Sequence, residues 1–74
     1  MQIAVLTFDG FNEIDSFVAS AMLNRVPGWQ ALITSPAPQV VSMNGVVVQA
    51  QRDLGFVAQA DAVLAPFLAA AEAA

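Results

Sequence analysis

The run Ile3-Ala-Val-Leu-Thr-Phe8, closed by the turn dipeptide Asp9-Gly10, constrains this chain more than any other feature. It is almost wholly apolar and shows no alternation between apolar and polar positions. Such a run suits a strand covered on both faces, as at the centre of a parallel sheet. Helices supply that cover in folded chains, so the run predicts an α/β layer.

The segments that follow fit this expectation. Asn12 is a favourable N-cap, and Asp15 falls at the third helical position, where an acid suits the positive end of the helix dipole. Ile14, Phe17, Val18, Ala21 and Met22 recur at helical spacing, with Ser16, Ser20 and Asn24 on the other side. Pro27-Gly28 ends the helix. A right-handed crossover lays it against the sheet.

Trp29 to Thr34 reads as a second strand, broken by Ser35-Pro-Ala-Pro38. Val40 to Met43 and Val46 to Gln49 flank Asn44-Gly45, a strong hairpin signal. Asp53 to Ala60, weakened by Gly55, forms a short helix or an irregular connection. Asp61 to Leu64 reads as another strand buried on two faces. Ala65 to Ala74 favours helix through its alanine content. The order is strand, helix, strand, hairpin, strand, with no internal repeat, linker or second domain.

Composition sharpens the expectation. Hydrophobic residues make up 58% of the chain and charged residues 11%, against a globular norm of roughly a quarter charged. A small chain has much surface for its volume and should be more polar than average. The excess implies apolar faces that a further segment or a partner chain must cover. Net charge is −4, with Arg25 and Arg52 the only cations. So few cations exclude phosphate-backbone binding and attraction to anionic membranes by this stretch. The start has no basic n-region, and the longest apolar run is interrupted by Pro66, which points to a soluble, cytoplasmic protein. The chain contains neither cysteine nor histidine, no glycine-rich phosphate loop and no metal-ligand cluster. No cofactor and no metal are therefore expected.

The stretch Ile3-Ala-Val-Leu-Thr-Phe-Asp-Gly-Phe-Asn-Glu-Ile-Asp-Ser-Phe17 resembles the opening of ThiJ/PfpI superfamily proteins, which share the class I glutamine amidotransferase-like fold. It is most similar to isonitrile hydratases and to the sensor domains of some transcriptional regulators. Ser42-Met-Asn-Gly-Val46 resembles the family's Ser-x-Asn-Gly hairpin, and Asp61-Ala-Val-Leu64 its next buried strand. The likeness covers residues 1–64. It implies the N-terminal part of a flavodoxin-like parallel-sheet sandwich, with residues 65–74 departing from the family pattern. It also maps the family's functional acid onto Asp15. That carboxyl would hydrogen-bond a reactive cysteine and tune its thiolate. The cysteine lies on a strand-to-helix elbow further along the family's sequence and is absent from this chain.

Each of these residues also has a plainer reading. An acid in the first turn of a helix capped by Asn12 requires no active site, and Glu13 reads as a solvated first-turn acid. Gly10 supplies turn geometry, and its backbone also stands where it can line a ligand pocket. Trp29, Met22 and Met43 read as packing residues, and the hairpin requires Asn44 in any case. Three function classes remain. The first is the N-terminal part of a cysteine-dependent hydratase or hydrolase of small molecules, inactive alone. The second is the ligand-sensing domain of a transcriptional regulator, and the third a non-catalytic interaction fragment. The uncovered faces imply a homo-oligomer or a complementary segment as partner.

Overall fold

The computed structural model describes residues 1–65. Seven elements follow one another: β1 (Gln2–Leu6), α1 (Glu13–Leu23), β2 (Gln30–Thr34), β3 (Gln39–Val41), β4 (Val47–Gln49), α2 (Phe56–Gln59) and β5 (Ala62–Leu64). Three strands form a parallel sheet in the order β2-β1-β5, and β3 and β4 form a separate antiparallel pair. The fold is therefore α/β with a β-hairpin, as the apolar run at Ile3 requires. The helix expected over residues 65–74 lies, save for Ala65, outside the described residues.

β1 is the central strand. Ala4 and Val5 are fully buried, and Ile3 nearly so. Its register pairs Ile3 with Ala31 and Val5 with Ile33 on one side, and Ile3 with Ala62 and Val5 with Leu64 on the other. Strand alternation puts Ile3, Val5, Ala31, Ile33 and Leu64 on one face, while Ala62 is exposed. There they form a core with Leu23 from α1 and Val48 from the hairpin. Thr7 extends the pairing past the strand: its N–H and hydroxyl both donate to the Thr34 carbonyl, at 2.8 and 3.0 Å. The chain then leaves the sheet, and Phe8 stands at the surface instead of inside the strand.

α1 begins where the capping pattern places it. Asn12 has extended backbone angles, and its side-chain oxygen accepts from the Ile14 N–H at 3.0 Å. The helix ends earlier than Pro27-Gly28, at Asn24. The side chain of Asn24 turns to the sheet, donating to the Ala31 carbonyl at 3.1 Å and accepting from the Ala31 N–H at 2.7 Å. The seating of the helix departs most from the pattern. Ser16 is 1% exposed and Ser20 half-buried, whereas Ile14, Phe17, Val18 and Met22 lie in the exposed set. The serine side faces inward. Leu23, which the periodic set leaves out, supplies the apolar contact.

The hairpin closes through Ser42–Val46. The Ser42 N–H donates to the Val46 carbonyl at 2.8 Å, and the Gly45 N–H to the Ser42 carbonyl at 3.1 Å. Gly45 has φ of 83°, the left-handed value that completes a three-residue loop of this kind. α2 occupies only four residues, and its Phe56 is buried with the Arg52 guanidinium 4.3 Å from the ring centroid. β5 is not buried on two faces as its sequence suggests: Val63 is 46% exposed. It is an edge strand, and no described residue lies beyond it in the sheet.

Candidate functional site

The sheet order sets the place to look. From β1 the chain crosses to β2 on one side and later returns to β5 on the other. The carboxyl end of β1 is thus a topological switch point, where open α/β sheets leave a crevice for ligands. Asp9, Gly10, Asn12, Glu13 and Asp15 all lie immediately beyond it.

The hairpin holds this loop in place. The Gly10 N–H donates to the Val41 carbonyl at 2.8 Å, the Val41 N–H to Asp9 Oδ1 at 3.0 Å, and the Met43 N–H to the Phe11 carbonyl at 2.8 Å. Loop and hairpin are joined almost as strands are. Gly10 has φ of 90°, and a Cβ there would meet nothing within 4 Å. A glycine is needed for the backbone angle, not for a close approach. Its N–H is committed to the hairpin. Phe11 is buried beneath the loop, in edge-on contact with Phe17 at 6.3 Å between ring centroids.

Asp15 is exposed at the third helical position. Asn12 alone supplies the side-chain cap, and the Asp15 carboxylate forms no hydrogen bond or ion pair among the described residues. The cap therefore does not employ it.

Glu13 differs from its sequence reading as a solvated acid. It is half-buried against the hairpin turn, and its Oε2 is shut off from solvent. Burial pushes its carboxyl up. Hydrogen bonding to its own backbone N–H and to the side chains of Asn44 and Ser42 outweighs this and leaves it below its ordinary value. The Ser42 hydroxyl also accepts from the N–H groups of Asn44 and Val46, at 3.3 and 3.0 Å. No local pattern predicts this contact, because Glu13 and Ser42 meet only once the hairpin folds onto the loop.

On the other flank of the same strand end, Leu6, Thr7, Phe8, Pro36 and Leu54 line an open apolar hollow of about 320 Å³. Neither Gly10 nor Asp15 reaches it. Among the described residues no group of acids or other donors has metal-site geometry, and no helix is long and apolar enough to cross a membrane.

The arrangement matches known folds. The chain superposes on the oxidized DJ-1 of Toxoplasma gondii with a TM-score of 0.70 and 22% identity, covering 88% of this chain and 37% of that one. A DJ-1 superfamily protein of Agrobacterium tumefaciens gives a TM-score of 0.73 and 20% identity, over 89% of this chain and 37% of that one. No family model and no curated protein matches the sequence. The chain thus has a partial DJ-1 superfamily fold, the fold of ThiJ/PfpI proteins, and spans little more than a third of the length of those structures.

Proposed function

We propose that residues 1–64 are the N-terminal portion of a ThiJ/PfpI-like domain that acts on small molecules through a cysteine this chain lacks. Asp15 is the acid partner of that thiol, and Gly10 lines the ligand crevice. The parent chemistry is of the isonitrile hydratase or small-molecule hydrolase kind, carried out in the cytoplasm. The chain alone is catalytically incompetent, since it has no thiol, no imidazole and no elbow to present a nucleophile.

One observation supports this reading above all: an unengaged carboxylate at the switch point of the sheet, on a helix whose cap is already supplied by Asn12. A carboxylate so placed is free to orient and tune a neighbouring thiol. The test is Asp15→Ala in a cysteine-containing domain that carries these residues. Turnover of small isonitriles or amides should collapse while the melting temperature moves by a few degrees at most, because helix-end charge contributes only about 0.3–1 kcal/mol when exposed. A large loss of stability with activity retained would assign Asp15 to the helix instead.

A further inference from the structure

We propose that Asn44-Gly45, at the tip of the hairpin, is a site of spontaneous deamidation, restrained by the docked hairpin and able to loosen it once reacted. The proposal is independent of any catalytic role for Asp15. Asn44 is exposed, and Gly45 has no side chain to hinder the approach of its nitrogen to the Asn44 side-chain carbonyl. The surroundings are open too, since a Cβ at Gly45 would meet nothing within 4 Å. In the reaction the Gly45 nitrogen loses its proton and bonds to Asn44 Cγ. The bond from Cγ to Nδ2 breaks, and ammonia leaves behind a cyclic imide. Water then opens the ring at either carbonyl, giving aspartate or isoaspartate. The net change is loss of ammonia and gain of water, with nothing oxidised or reduced.

Both reacting groups are tied down in the fold. The Gly45 N–H donates to the Ser42 carbonyl at 3.1 Å, which holds the nucleophile. The Asn44 N–H donates to Ser42 Oγ at 3.3 Å. The Asn44 side-chain amide is hydrogen-bonded to the Glu13 carboxylate. A carboxylate only accepts, so the donor is Nδ2, the group that must leave. Deamidation replaces this donor with a second carboxyl beside Glu13, whose Oε2 is shut off from solvent. Two carboxylates cannot share such a contact without repulsion or uptake of a proton. The chain, already at −4, gains a further negative charge. The repulsion acts where the hairpin meets the β1–α1 loop. That junction is held by the Met43 N–H on the Phe11 carbonyl and the Gly10 N–H on the Val41 carbonyl, each at 2.8 Å.

Incubating the whole chain at mildly alkaline pH and mapping its peptides by mass spectrometry tests the site. Asn44 should lose its amide, whereas Asn12 and Asn24, followed by Glu13 and Arg25, should keep theirs. Glu13→Ala should raise the rate at Asn44 roughly fivefold, as fits the loss of one restraining hydrogen bond. Its far-UV circular dichroism should stay unchanged. Gln51→Ala, which weakens the β2 edge away from the turn, should leave the rate near that of the parent. Asn44→Asp imitates the product and should speed hydrogen exchange at the Met43 amide at least roughly tenfold. Adding Glu13→Gln to it should restore protection, because the facing charge is gone. An Asn44 that keeps its amide in the parent and in Glu13→Ala alike would overturn the proposal, as would equal rates in the two. So would a Gln51→Ala variant that reacts as fast as Glu13→Ala, which would make general unfolding the cause. A Met43 amide indifferent to Asn44→Asp, or one that Glu13→Gln fails to restore, would overturn it as well.

Discussion

The two outer edges of the parallel sheet are finished in opposite ways. Along β2, the outward N–H and carbonyl groups of Ala31 and Ile33 and the N–H of Ser35 are all taken. Asn24 pairs with both the N–H and carbonyl of Ala31, the Gln51 side chain accepts from the Ile33 N–H at 2.8 Å, and the Ile33 carbonyl accepts from the N–H groups of Gln51 and Arg52. The Ser35 N–H then donates to the Arg52 carbonyl at 3.2 Å. Along β5 nothing comparable occurs. The Asp61 N–H donates inward to the Gln2 carbonyl at 2.8 Å, so alternation turns the backbone groups of Ala62 and Leu64 outward. They carry neither the charges nor the prolines with which edges are usually protected. The contrast teaches where the sheet can grow: away from β2, on the side of β5. In the superfamily structures that share this fold, the matched part is only 37% of the chain.

Changes on the sealed edge should have the largest effects. Asn24→Ala removes the partner of two backbone groups at once and should destabilise the chain by about 2–3 kcal/mol, read from urea unfolding. Asn24→Asp keeps the acceptor but loses the donor, and should fall between the variant and the parent. If Asn24→Ala proves neutral, the sealed edge is not what holds β2 in place. Gln51→Ala should cost about 1 kcal/mol, the usual net contribution of one hydrogen bond, in the same measurement.

Hydrogen exchange measures the comparison itself. The amides of Ala31 and Ile33 should exchange at least about tenfold more slowly than those of Ala62 and Leu64, since only the former are held in hydrogen bonds. Equal protection would mean that β5 acquires a partner in solution. On the open edge, Val63→Thr should change stability by about 0.5 kcal/mol or less, as exposed substitutions generally do.

The smallest effect belongs to Glu13, the first residue of α1. Its carboxyl is held below the ordinary value by hydrogen bonding that outweighs burial. A lowered folded value contributes stability that is fully present above the unfolded value and is lost as pH falls through the folded one. The chain should therefore weaken on acidification below the glutamate range, and Glu13→Gln should flatten that part of the pH profile. An unchanged profile would show that the contact with Ser42 and Asn44 contributes nothing.

Much of the fold was legible because its signals are local. The unbroken apolar run marks β1, Asn12 marks the start of α1, Asn44-Gly45 marks the hairpin, and Asp61 marks the approach to β5. Periodicity also grouped Ile14, Val18 and Met22 correctly on one face of α1. It failed on which face the sheet would take, because a periodic pattern identifies an apolar stripe without saying what covers it. Leu23 took an inner position against Ile3, Val5, Ala31 and Ile33, a fit that no window of sequence contains. The same limit hid the contact of Glu13 with the hairpin turn. Of the candidate site, the positions of Gly10 and Asp15 were readable; that Asp15 is left unengaged and Gly10 gives its N–H to Val41 was not.

The sequence by itself determined that this chain is a layered α/β arrangement, rich in apolar residues and without cysteine or histidine. Those properties follow from residue types and their spacing, which each segment carries wherever it lies. Only the tertiary structure decided which sheet edge is closed and which open, that α1 turns its serines inward, and that the β1–α1 loop is fastened to the hairpin. Each of these depends on hydrogen bonds and packing between residues far apart in the chain, such as Asn24 with Ala31, Gln51 with Ile33 and Gly10 with Val41. Such contacts exist only once the backbone has brought their partners within about 3 Å.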